Sequence, residues 1–313
     1  MSLAAHFLVG PTGVGKSAVA QLLAEQQGAP ILSADSMLIY RGMDIGTAKP
    51  TVDERGAVPY FGVDLVDPDV TFSAWEYRRH ALDALKRVPA PPYAIVTGGT
   101  GLYVKALTHG LVDRPGADPA LRERWQRRLA EEGIGALQRA LREVAPDVFE
   151  SLADKQNPRR LIRALETVDA PQPRVDRPEE AVPATVVGLS IDPELLNERI
   201  AQRVHTMYDQ GLLDEVEQLL AAGKPLSKTA RQAIGYAEAM DLVEGRLTQA
   251  QAIERTIVRT RRLAKRQRTW FRHQADVIWV EVTRERSLAD LADKVGQQWR
   301  EHGPTAIRGE SRR

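Results

Sequence analysis

Cysteine is absent from this 313-residue chain, and no run of residues is long and apolar enough to cross a bilayer. The first absence excludes disulfides, thiolate zinc sites and cysteine nucleophiles, and it fits a reducing compartment. A basic region followed by an apolar stretch is also missing at the N-terminus. We therefore expect no signal peptide, no membrane contact and a cytoplasmic protein.

An excess of charge of one sign is likewise missing. The chain has 43 Lys and Arg against 42 Asp and Glu, for a net charge of +1. Nothing global therefore indicates nucleic acid as a partner, and any such signal must be local. Hydrophobic residues make up 43% of the chain and charged residues 27%, which is typical of a globular protein with a sizeable core. The length allows about two domains.

The most specific motif lies at the start of the chain. The segment FLVGPTGVGKS is an apolar strand followed by the pattern G-x-x-x-x-G-K-S, from Gly10 to Ser17. The backbone N–H groups of such a P-loop, with the N-terminus of the helix that follows, bind phosphate oxygens. Lys16 adds a positive charge and Ser17 a hydroxyl for Mg²⁺. The motif predicts polyphosphate binding without saying which polyphosphate.

Strands alternate with helices around this motif. Strands are predicted at residues 6–10, 30–34 and 93–96, and a helix at residues 17–27. This alternation predicts a parallel α/β sheet, in which ligands bind at the carboxyl ends of the strands. We therefore expect the P-loop, the Asp35-Ser36 pair and the segment TGGTGLY (97–103) to meet at one site.

Two of these strand ends carry candidate chemistry. Asp35 is a possible Mg²⁺ ligand, general base or ribose binder, or only a helix N-cap. The segment TGGTGLY has no acid where many P-loop NTPases place a Mg²⁺ ligand, which argues against an ATPase. Its small residues would let the backbone approach a ligand closely. The loop IYRGMDIGTAKP (39–50) has no mechanism that we can derive from its residues.

The middle of the chain changes in texture. We predict a core from residues 1–112 and 185–313, interrupted by a helical insertion at 113–184 that ends in a Pro-rich linker (171–183). Further strands are predicted at 185–191 and 277–282. The tail GPTAIRGESRR (303–313) is expected to be disordered. The histidines show no metal-binding spacing and are interpreted as structural.

A second signal is a basic helix. Eight cations occur between residues 255 and 272 with no acid among them: Arg255, Arg259, Arg261, Arg262, Lys265, Arg266, Arg268 and Arg272. They flank a narrow apolar stripe of Ile253, Ile257, Thr260, Ala264 and Phe271. Solvated surface helices usually mix both signs of charge, so this pattern favours phosphate contact. In QNPRRLIRALE, Asn157 and Pro158 predict an ordinary capped helix.

Six segments, in order, resemble those of the tRNA dimethylallyltransferases, also called tRNA isopentenyltransferases. They are GPTGVGKS, SADSMLIYRGMDIGTAKP, TGGTGLYVKAL, QNPRRLIRALE, ARQAIGY and RTRRLAKRQRTWFR. The resemblance spans residues 6–282, and the DSxxIYxGMDIGTAKP block is very specific to the family. Many members have Gln at the position of Leu38, so the contact of that side chain differs here. Without cysteine, we expect no zinc finger of the kind eukaryotic members carry.

The resemblance implies a P-loop core with a helical insertion that grips the anticodon stem-loop of tRNA. It implies transfer of the dimethylallyl group of dimethylallyl diphosphate to N6 of an adenine. That adenine lies immediately 3′ of the anticodon in tRNAs that read codons starting with U. Mg²⁺ is the implied cofactor, and we expect a monomer.

The resemblance also assigns residues. Asp35 is expected to be the general base and Thr100 to hydrogen-bond near the reacting atoms. The diphosphate is expected to contact Gly10, Thr12, Gly13, Val14, Gly15, Lys16, Ser17 and Arg231, with Ser17 as the Mg²⁺ ligand. The residues expected to contact tRNA are Asp35, Ser36, Met37, Leu38, Arg122, Gln156, Asn157, Pro158, Arg159, Arg160, Arg255, Arg259, Arg262 and Arg266.

Three alternatives stay open at the level of the sequence. A small-molecule P-loop kinase would need ATP affinity and an acidic Mg²⁺ ligand, and it leaves the basic helix without a role. An adenylate isopentenyltransferase, which uses free nucleotide, has no need of the insertion or of the arginines. A non-catalytic RNA-binding protein would have no reason to keep both Lys16 and Asp35.

Overall fold

The computed structural model of the chain describes residues 3–111, 119–169 and 184–308. The chain divides into two compact units, one of residues 1–110 and 181–313 and the other of residues 111–180. The predicted insertion, 113–184, differs from the second unit by a few residues at each end. The linker predicted at 171–183 lies outside the described residues.

One sheet lies at the centre of the first unit. Its strands are β1 (Ala4–Val9), β2 (Ile31–Ser33), β3 (Tyr60–Phe61), β4 (Ile95–Gly98), β5 (Thr185–Ile191), β6 (Asp276–Val282) and β7 (Thr305–Ala306). The order is β3-β2-β4-β1-β5-β6, with each neighbouring pair parallel, and β7 joins β1 as an antiparallel partner. The predicted parallel α/β sheet is confirmed, and the predicted strands lie within two residues of the observed ones.

In the first unit helices lie between the strands, and within the described residues the second unit contains helices alone. They are α1 (Lys16–Gln27), α2 (Val52–Arg55), α3 (Ala74–Lys86), α4 (Gly101–Thr108), α5 (Pro119–Glu132), α6 (Ile134–Val144), α7 (Pro146–Ser151), α8 (Pro158–Asp169), α9 (Pro193–Asp209), α10 (Leu212–Ala221), α11 (Lys228–Arg231), α12 (Tyr236–Val243), α13 (Gln249–Gln274) and α14 (Leu288–His302). None of the described helices is both long enough and apolar enough to span a bilayer.

The sheet is buried on both faces, which explains why β1 reads as a continuous apolar run. Alternate residues of a strand point to opposite faces. Accordingly, Leu8 packs in the cluster that contains α1 and α9, whereas Phe7 and Val9 pack in the cluster that contains α3 and α4. All three side chains are at most 1% exposed. The central position of β1 places the loop after it at the middle of one sheet edge.

The C-terminal segment corrects one expectation. Residues 303–308 are not disordered, because β7 pairs with the start of β1 in the register Ala4 to Ala306 and Ala5 to Thr305. The backbone N–H of Ile307 donates to Leu3 O at 2.8 Å, and the Ile307 side chain is buried. Thr305 and Ala306 therefore have a strand partner in β1, and Ile307 packs in the core. Residues 309–313 lie outside the described part of the chain.

The second unit is a small helical bundle with its own core. Trp125 from α5, Leu137 and Leu141 from α6, and Leu161 and Leu165 from α8 form one buried cluster. Helix α8 begins as predicted, because Asn157 Oδ1 accepts from the N–H groups of Arg159 and Arg160 at 3.1 and 3.4 Å. These two bonds satisfy backbone donors in the first turn of the helix, which have no partner within it.

Candidate active site

The P-loop lies between β1 and α1, as the sequence predicts. Gly10 has a φ of +143°, and a Cβ there would lie 2.7 Å from Leu189 O on the neighbouring strand β5. Gly15, at φ +102°, is the residue from which α1 begins. Both positions need glycine, one for lack of space and one for its backbone angle. The loop therefore presents its backbone N–H groups at the carboxyl edge of the sheet.

Lys16 is the buried cation of this loop. Its side chain is turned inward, and Nζ donates to Pro11 O at 2.7 Å. Burial lowers the pKa of Lys16 to about 8, while the carboxylate of Asp35 acts to raise it and Arg203 to lower it further. Burial disfavours the charged form of the lysine, and a bound anion would stabilise that form again. The position of Lys16 therefore favours the binding of an anion.

The three predicted loops do meet. The N–H of Ala34, after β2, donates to Thr97 O at 2.7 Å, and the N–H of Ser36 donates to Thr100 Oγ1 at 3.0 Å. Gln267 of α13 links the other pair of loops: its Oε1 accepts from the N–H of Thr12 at 2.8 Å and its Nε2 donates to Gly99 O at 3.0 Å. These bonds fix the spacing of the three loops.

Asp35 is oriented by its own loop. Its Oδ1 accepts from the N–H of Met37 at 2.9 Å, a local turn that holds the carboxylate in place. The alternative role of a helix N-cap is excluded, since no helix begins directly after Asp35 and the next one, α2, begins at Val52. Thr100 contributes by anchoring the residue after Asp35, and its hydroxyl lies 3.3 Å from Ser36 Oγ.

A cavity of about 550 Å³ opens between these loops. Seven of the residues predicted to bind the diphosphate or tRNA line it: Thr12, Gly13, Gly15, Lys16, Ser17, Asp35 and Leu38. Thr97 also lines it, with a buried hydroxyl that has no partner among the described residues. Gly10, Val14, Ser36, Met37 and Thr100 support these loops without lining the cavity.

Two arginines that the sequence analysis missed enter this cavity from α9. Arg199 Nη1 approaches Val14 O at 3.4 Å, and Arg203 Nη2 donates to Thr47 O at 3.2 Å. Burial lowers the pKa of Arg203, and the charge of Asp35 acts against that shift. The signal was present in the sequence, since residues four apart on a helix share a face. The orientation of that face toward the P-loop depends on tertiary packing.

Arg231 lies elsewhere. It belongs to α11, its side chain is 57% exposed, and its Nη2 lies 3.6 Å from Glu244 Oε1. It is not among the described residues that line the cavity. The structure therefore does not bring Arg231 together with Lys16 and Asp35, whereas Arg203 lines the same cavity as those two residues.

The glycines of TGGTGLY make room for neighbouring protein atoms. A Cβ at Gly98 would lie 2.2 Å from Ala34 O, and one at Gly101 would lie 2.3 Å from the ring of Trp270. At Gly99 it would lie 2.3 Å from Gln267 Nε2. The backbone of Ala34 and the side chains of Gln267 and Trp270 therefore use the space beside these glycines, and Gly98 also lines the cavity.

The loop IYRGMDIGTAKP gains an explanation from a buried lysine. Lys49 Nζ donates to Tyr40 O at 2.6 Å, to Asp44 Oδ1 at 2.5 Å and to Asp64 Oδ1 at 2.6 Å. One ammonium group therefore ties both ends of the loop together. The loop covers one wall of the cavity through Ile45 and Thr47.

Some of the residues predicted to contact tRNA are already bonded within the protein, and others are exposed. In the second unit, Arg122 binds the buried carboxylate of Glu166 through Nε at 2.7 Å and Nη2 at 3.3 Å. Arg159 and Arg160 are exposed, whereas Asn157 caps α8. Pro158 begins that helix, and Gln156, before it, donates its N–H to Asp154 Oδ1 at 3.0 Å.

The apolar stripe predicted for the basic helix α13 is buried at two of its five positions, Ala264 and Phe271. Its buried residues are Ala252, Thr256, Ala264 and Phe271, whereas Ile253, Ile257 and Thr260 are only partly covered. Arg259 forms an ion pair with Glu238 of α12. Arg255, Arg262 and Arg266 are exposed and form no ion pair within the described part of the chain. These three cations are therefore available to an anionic partner.

The chain is similar to known proteins over most of its length. A family model described as IPP transferase matches residues 38–274, and one described as isopentenyl transferase matches residues 3–58. The tRNA dimethylallyltransferase of Corynebacterium jeikeium is 40% identical over 282 residues, which cover 88% of this chain and 90% of that protein. The enzyme of the same name from Geobacter metallireducens is 40% identical over 280 residues, 87% of this chain and 90% of its own.

Solved structures give the same result. The full-length tRNA isopentenylpyrophosphate transferase from Bacillus halodurans is 33% identical, with a TM-score of 0.67, and the match covers 95% of this chain and 97% of that chain. A eukaryotic dimethylallyltransferase acting on tRNA, 23% identical, has a TM-score of 0.78 over 99% of this chain and 82% of its own, and shows the fold alone. This chain therefore belongs to the IPP transferase family, the family of the tRNA dimethylallyltransferases.

Proposed function

We propose that this chain transfers the dimethylallyl group of dimethylallyl diphosphate to N6 of the adenine 3′-adjacent to the anticodon, in tRNAs that read codons starting with U. The products are N6-dimethylallyladenosine in the tRNA and pyrophosphate. The observation that carries the proposal is one cavity lined by the P-loop with the buried Lys16, by the partly buried Arg203 and by the Asp35 carboxylate. Such a site can hold an anionic leaving group beside a proton acceptor.

The diphosphate is assigned to the P-loop side of the cavity. The N–H groups from Gly13 to Ser17 at the start of α1 provide donors for its oxygens, whereas the N–H of Thr12 is bonded to Gln267 Oε1. Lys16 and Arg203 provide the positive charge. Burial disfavours the charged form of both side chains and lowers their pKa, and an anion bound between them would stabilise the charged forms. As the bond from C1 to the diphosphate oxygen breaks, negative charge grows on pyrophosphate, and these groups stabilise it.

The proposed Mg²⁺ fits the side chains present. Ser17 has an exposed hydroxyl without a described partner, and Thr97 has a buried hydroxyl without one, both at the cavity. Mg²⁺ typically takes one or two protein oxygens and completes its shell with water and substrate phosphates. When bound, the ion would add positive charge at the leaving pyrophosphate.

Asp35 is assigned as the base. The exocyclic N6 of adenine is a poor nucleophile, because its lone pair is delocalised into the ring. As N6 forms its bond to C1 of the prenyl group, one N6 proton must leave, and the Asp35 carboxylate takes it. Oδ1 is already bonded to the N–H of Met37, which leaves Oδ2 as the acceptor within the described residues. Thr100 keeps this loop in register with β4.

The RNA partner must present its base to this cavity. An adenine that is stacked in the anticodon loop cannot reach Asp35, so the base must be flipped out. Contacts to tRNA are assigned to the loop from Asp35 to Leu38 beside the cavity, and to exposed cations such as Arg159, Arg160 and Arg262. Phosphate contacts of this kind position the RNA without reading its sequence.

The decisive experiment is a reconstituted reaction. The protein is incubated with dimethylallyl diphosphate, Mg²⁺ and unmodified tRNA, and nucleosides from the digested tRNA are measured by mass spectrometry. We expect one adenosine per reactive tRNA to gain a dimethylallyl group. Mass spectrometry of tRNA fragments should place this group on the adenosine next to the anticodon. Free AMP in place of tRNA should give no product. Product on AMP, or phosphate transfer from ATP, would overturn the proposal.

A further inference from the structure

Glu215, on α10, is bonded to the wall of the active-site cavity without lining it. Its Oε2 accepts from the backbone N–H of Asp44 at 3.0 Å and of Ile45 at 2.9 Å, and its Oε1 lies 3.4 Å from the N–H of Gly46. The hydroxyl of Tyr236, from α12, donates to Oε1 at 2.5 Å. One carboxylate therefore gathers three consecutive backbone donors and a phenol, from a position about 170 residues away in sequence.

The contact is closely packed as well as polar. The Tyr236 side chain is fully buried, and burial together with the charge of Glu215 raises the pKa of its phenol, which keeps the hydroxyl proton in place. A Cβ at Gly46 would lie 2.5 Å from the Tyr236 ring and 2.9 Å from Leu212 Cδ1. The backbone of the loop at Gly46 therefore packs directly against the Tyr236 ring, and this contact limits how closely the loop can approach α12.

The same loop controls a cation of the cavity. Thr47, one residue beyond the Glu215 bonds, accepts from Arg203 Nη2 through its carbonyl oxygen at 3.2 Å. The turn is closed by Thr47 Oγ1, which donates to Met43 O at 2.7 Å. Ala48, the next residue, has a φ of +50°, an angle that residues other than glycine adopt only where surrounding contacts hold them. The carbonyl that orients Arg203 is therefore placed by the loop.

We propose that Glu215 is a positioning residue for donor binding: together with Tyr236 it fixes the loop of residues 43–48, and through the Thr47 carbonyl it orients the guanidinium of Arg203 toward the diphosphate. Lys49 fixes the other end of that loop. This inference rests on the proposed function, since it assigns Arg203 to the diphosphate. Glu215 itself touches neither donor nor RNA.

The test measures donor binding without RNA. Kd for dimethylallyl diphosphate is measured by calorimetry for the wild type, Glu215→Ala and Glu217→Gln, the last being an exposed acid on the same helix. We expect Glu215→Ala to weaken donor binding by about 10–100-fold, because a displaced Arg203 guanidinium loses its charge-assisted hydrogen bonds to the diphosphate. Glu217→Gln should not change it, and tRNA affinity without donor should be the same in all three proteins.

A double-mutant cycle separates positioning from general loss of structure. If Glu215 acts through Arg203, then Glu215→Ala adds less than about twofold to Kd in an Arg203→Ala background, because the effects of coupled residues do not add. Additive effects would overturn the inference. So would an unchanged donor Kd in Glu215→Ala at a lowered melting temperature.

Two controls keep the result interpretable. If Glu215→Ala does not fold, Tyr236→Phe removes one hydroxyl from the same contact and should weaken donor binding in the same direction by a smaller factor. A Tyr236→Phe protein with wild-type donor Kd would then count against the inference. If the wild type itself binds no dimethylallyl diphosphate, the proposed function fails rather than this inference.

Discussion

The guanidinium of Arg259 on α13 forms an ion pair with the carboxylate of Glu238 on α12, where the two helices are in contact. Glu238 is 4% exposed and also accepts from the N–H of Gly235 at 2.9 Å, and Arg259 Nη2 donates to Gln232 O at 2.9 Å. The pair is thus a structural tie between two helices. Arg259 differs in this respect from Arg262, one turn further along, which is exposed.

We therefore predict that Arg259→Gln destabilises the protein far more than Arg262→Gln. Removing the guanidinium leaves the Glu238 carboxylate buried without its counter-ion, and since solvent reaches Arg259, the cost should be about 2 kcal/mol. Arg262→Gln should change the free energy of unfolding by less than about 0.5 kcal/mol. Urea unfolding of both variants measures this. Equal effects of the two substitutions would contradict the structural role of Arg259.

The exposed arginines of α13 should carry part of the affinity for tRNA. Each phosphate contact that is lost lowers the slope of log K against log salt by somewhat under one unit. Replacing Arg255, Arg262 and Arg266 together with Gln should therefore flatten the slope by roughly one to three units. Filter binding of tRNA across a salt series measures it.

The matched control for that variant removes the same charge elsewhere. Arg79, Lys86 and Arg87 are exposed on or just after α3 and can also be replaced by Gln. We expect this control to keep the wild-type slope. If the two triple variants have the same slope, α13 has no special role in RNA binding and only net charge matters.

Asp35→Asn should abolish most turnover while it leaves tRNA affinity nearly intact. The amide keeps an oxygen that can accept from the N–H of Met37, so the local turn survives, but it cannot take the N6 proton. Loss of a general base costs about 10²–10⁴ in rate. Single-turnover prenylation with saturating donor measures the rate. A variant that retains most of the wild-type rate would show that another group accepts the proton.

Donor binding should weaken as the pH rises through about 8. The pKa of Lys16 is lowered to about 8 in the free protein, so the side chain loses its proton above that pH. A bound diphosphate favours the charged form, hence binding takes up a proton there, and affinity falls by up to about tenfold per pH unit. Phosphate groups themselves ionise near pH 6 and do not interfere.

Calorimetry in buffers of different ionisation heat at about pH 8.5 detects this uptake directly. Lys16→Arg is the control, because its guanidinium stays charged throughout and any remaining affinity should not vary with pH. A wild-type affinity that is flat from about pH 7 to about pH 9.5 would contradict the lowered pKa of Lys16.

Gly98→Ala should destabilise the sheet. The added Cβ would lie 2.2 Å from Ala34 O, a backbone atom that cannot move aside without disturbing the Asp35 loop. Overpacking of this kind typically costs about 1–3 kcal/mol. Gly135→Ala in α6 is the control, since its Cβ meets only the flexible end of Arg139 at 3.4 Å. Thermal unfolding should show a lowered midpoint for Gly98→Ala alone.

Periodicity and motif spacing predicted the parts of this molecule that depend on neighbours in sequence. The P-loop, the strand that ends before Asp35 and the cap of α8 at Asn157 follow from local rules of turn and strand chemistry. The meeting of the loops was also predictable, because the carboxyl ends of parallel strands share one edge.

Pairings between distant helices were not predictable in the same way. Arg203 and Arg231 both lie on helices, and only the packing of α9 against the P-loop decides which of them enters the cavity. Likewise, the charges of Arg259 and Arg262 are identical in sequence terms, and only the position of Glu238 distinguishes them. Tertiary contacts of this kind override the preferences of local sequence.

The antiparallel pairing of β7 with β1 affects how the chain can fold during its synthesis. β1 precedes all its partners in the chain, since β4, β5 and β7 are completed at residues 98, 191 and 306. The helical bundle of residues 111–180 is continuous and has its own core, so it can fold while the sheet is still incomplete. The N-terminal end of the P-loop strand therefore gains its partner only once residue 306 has been made, and a chain that ends before residue 305 would leave Ala4 and Ala5 without a strand partner.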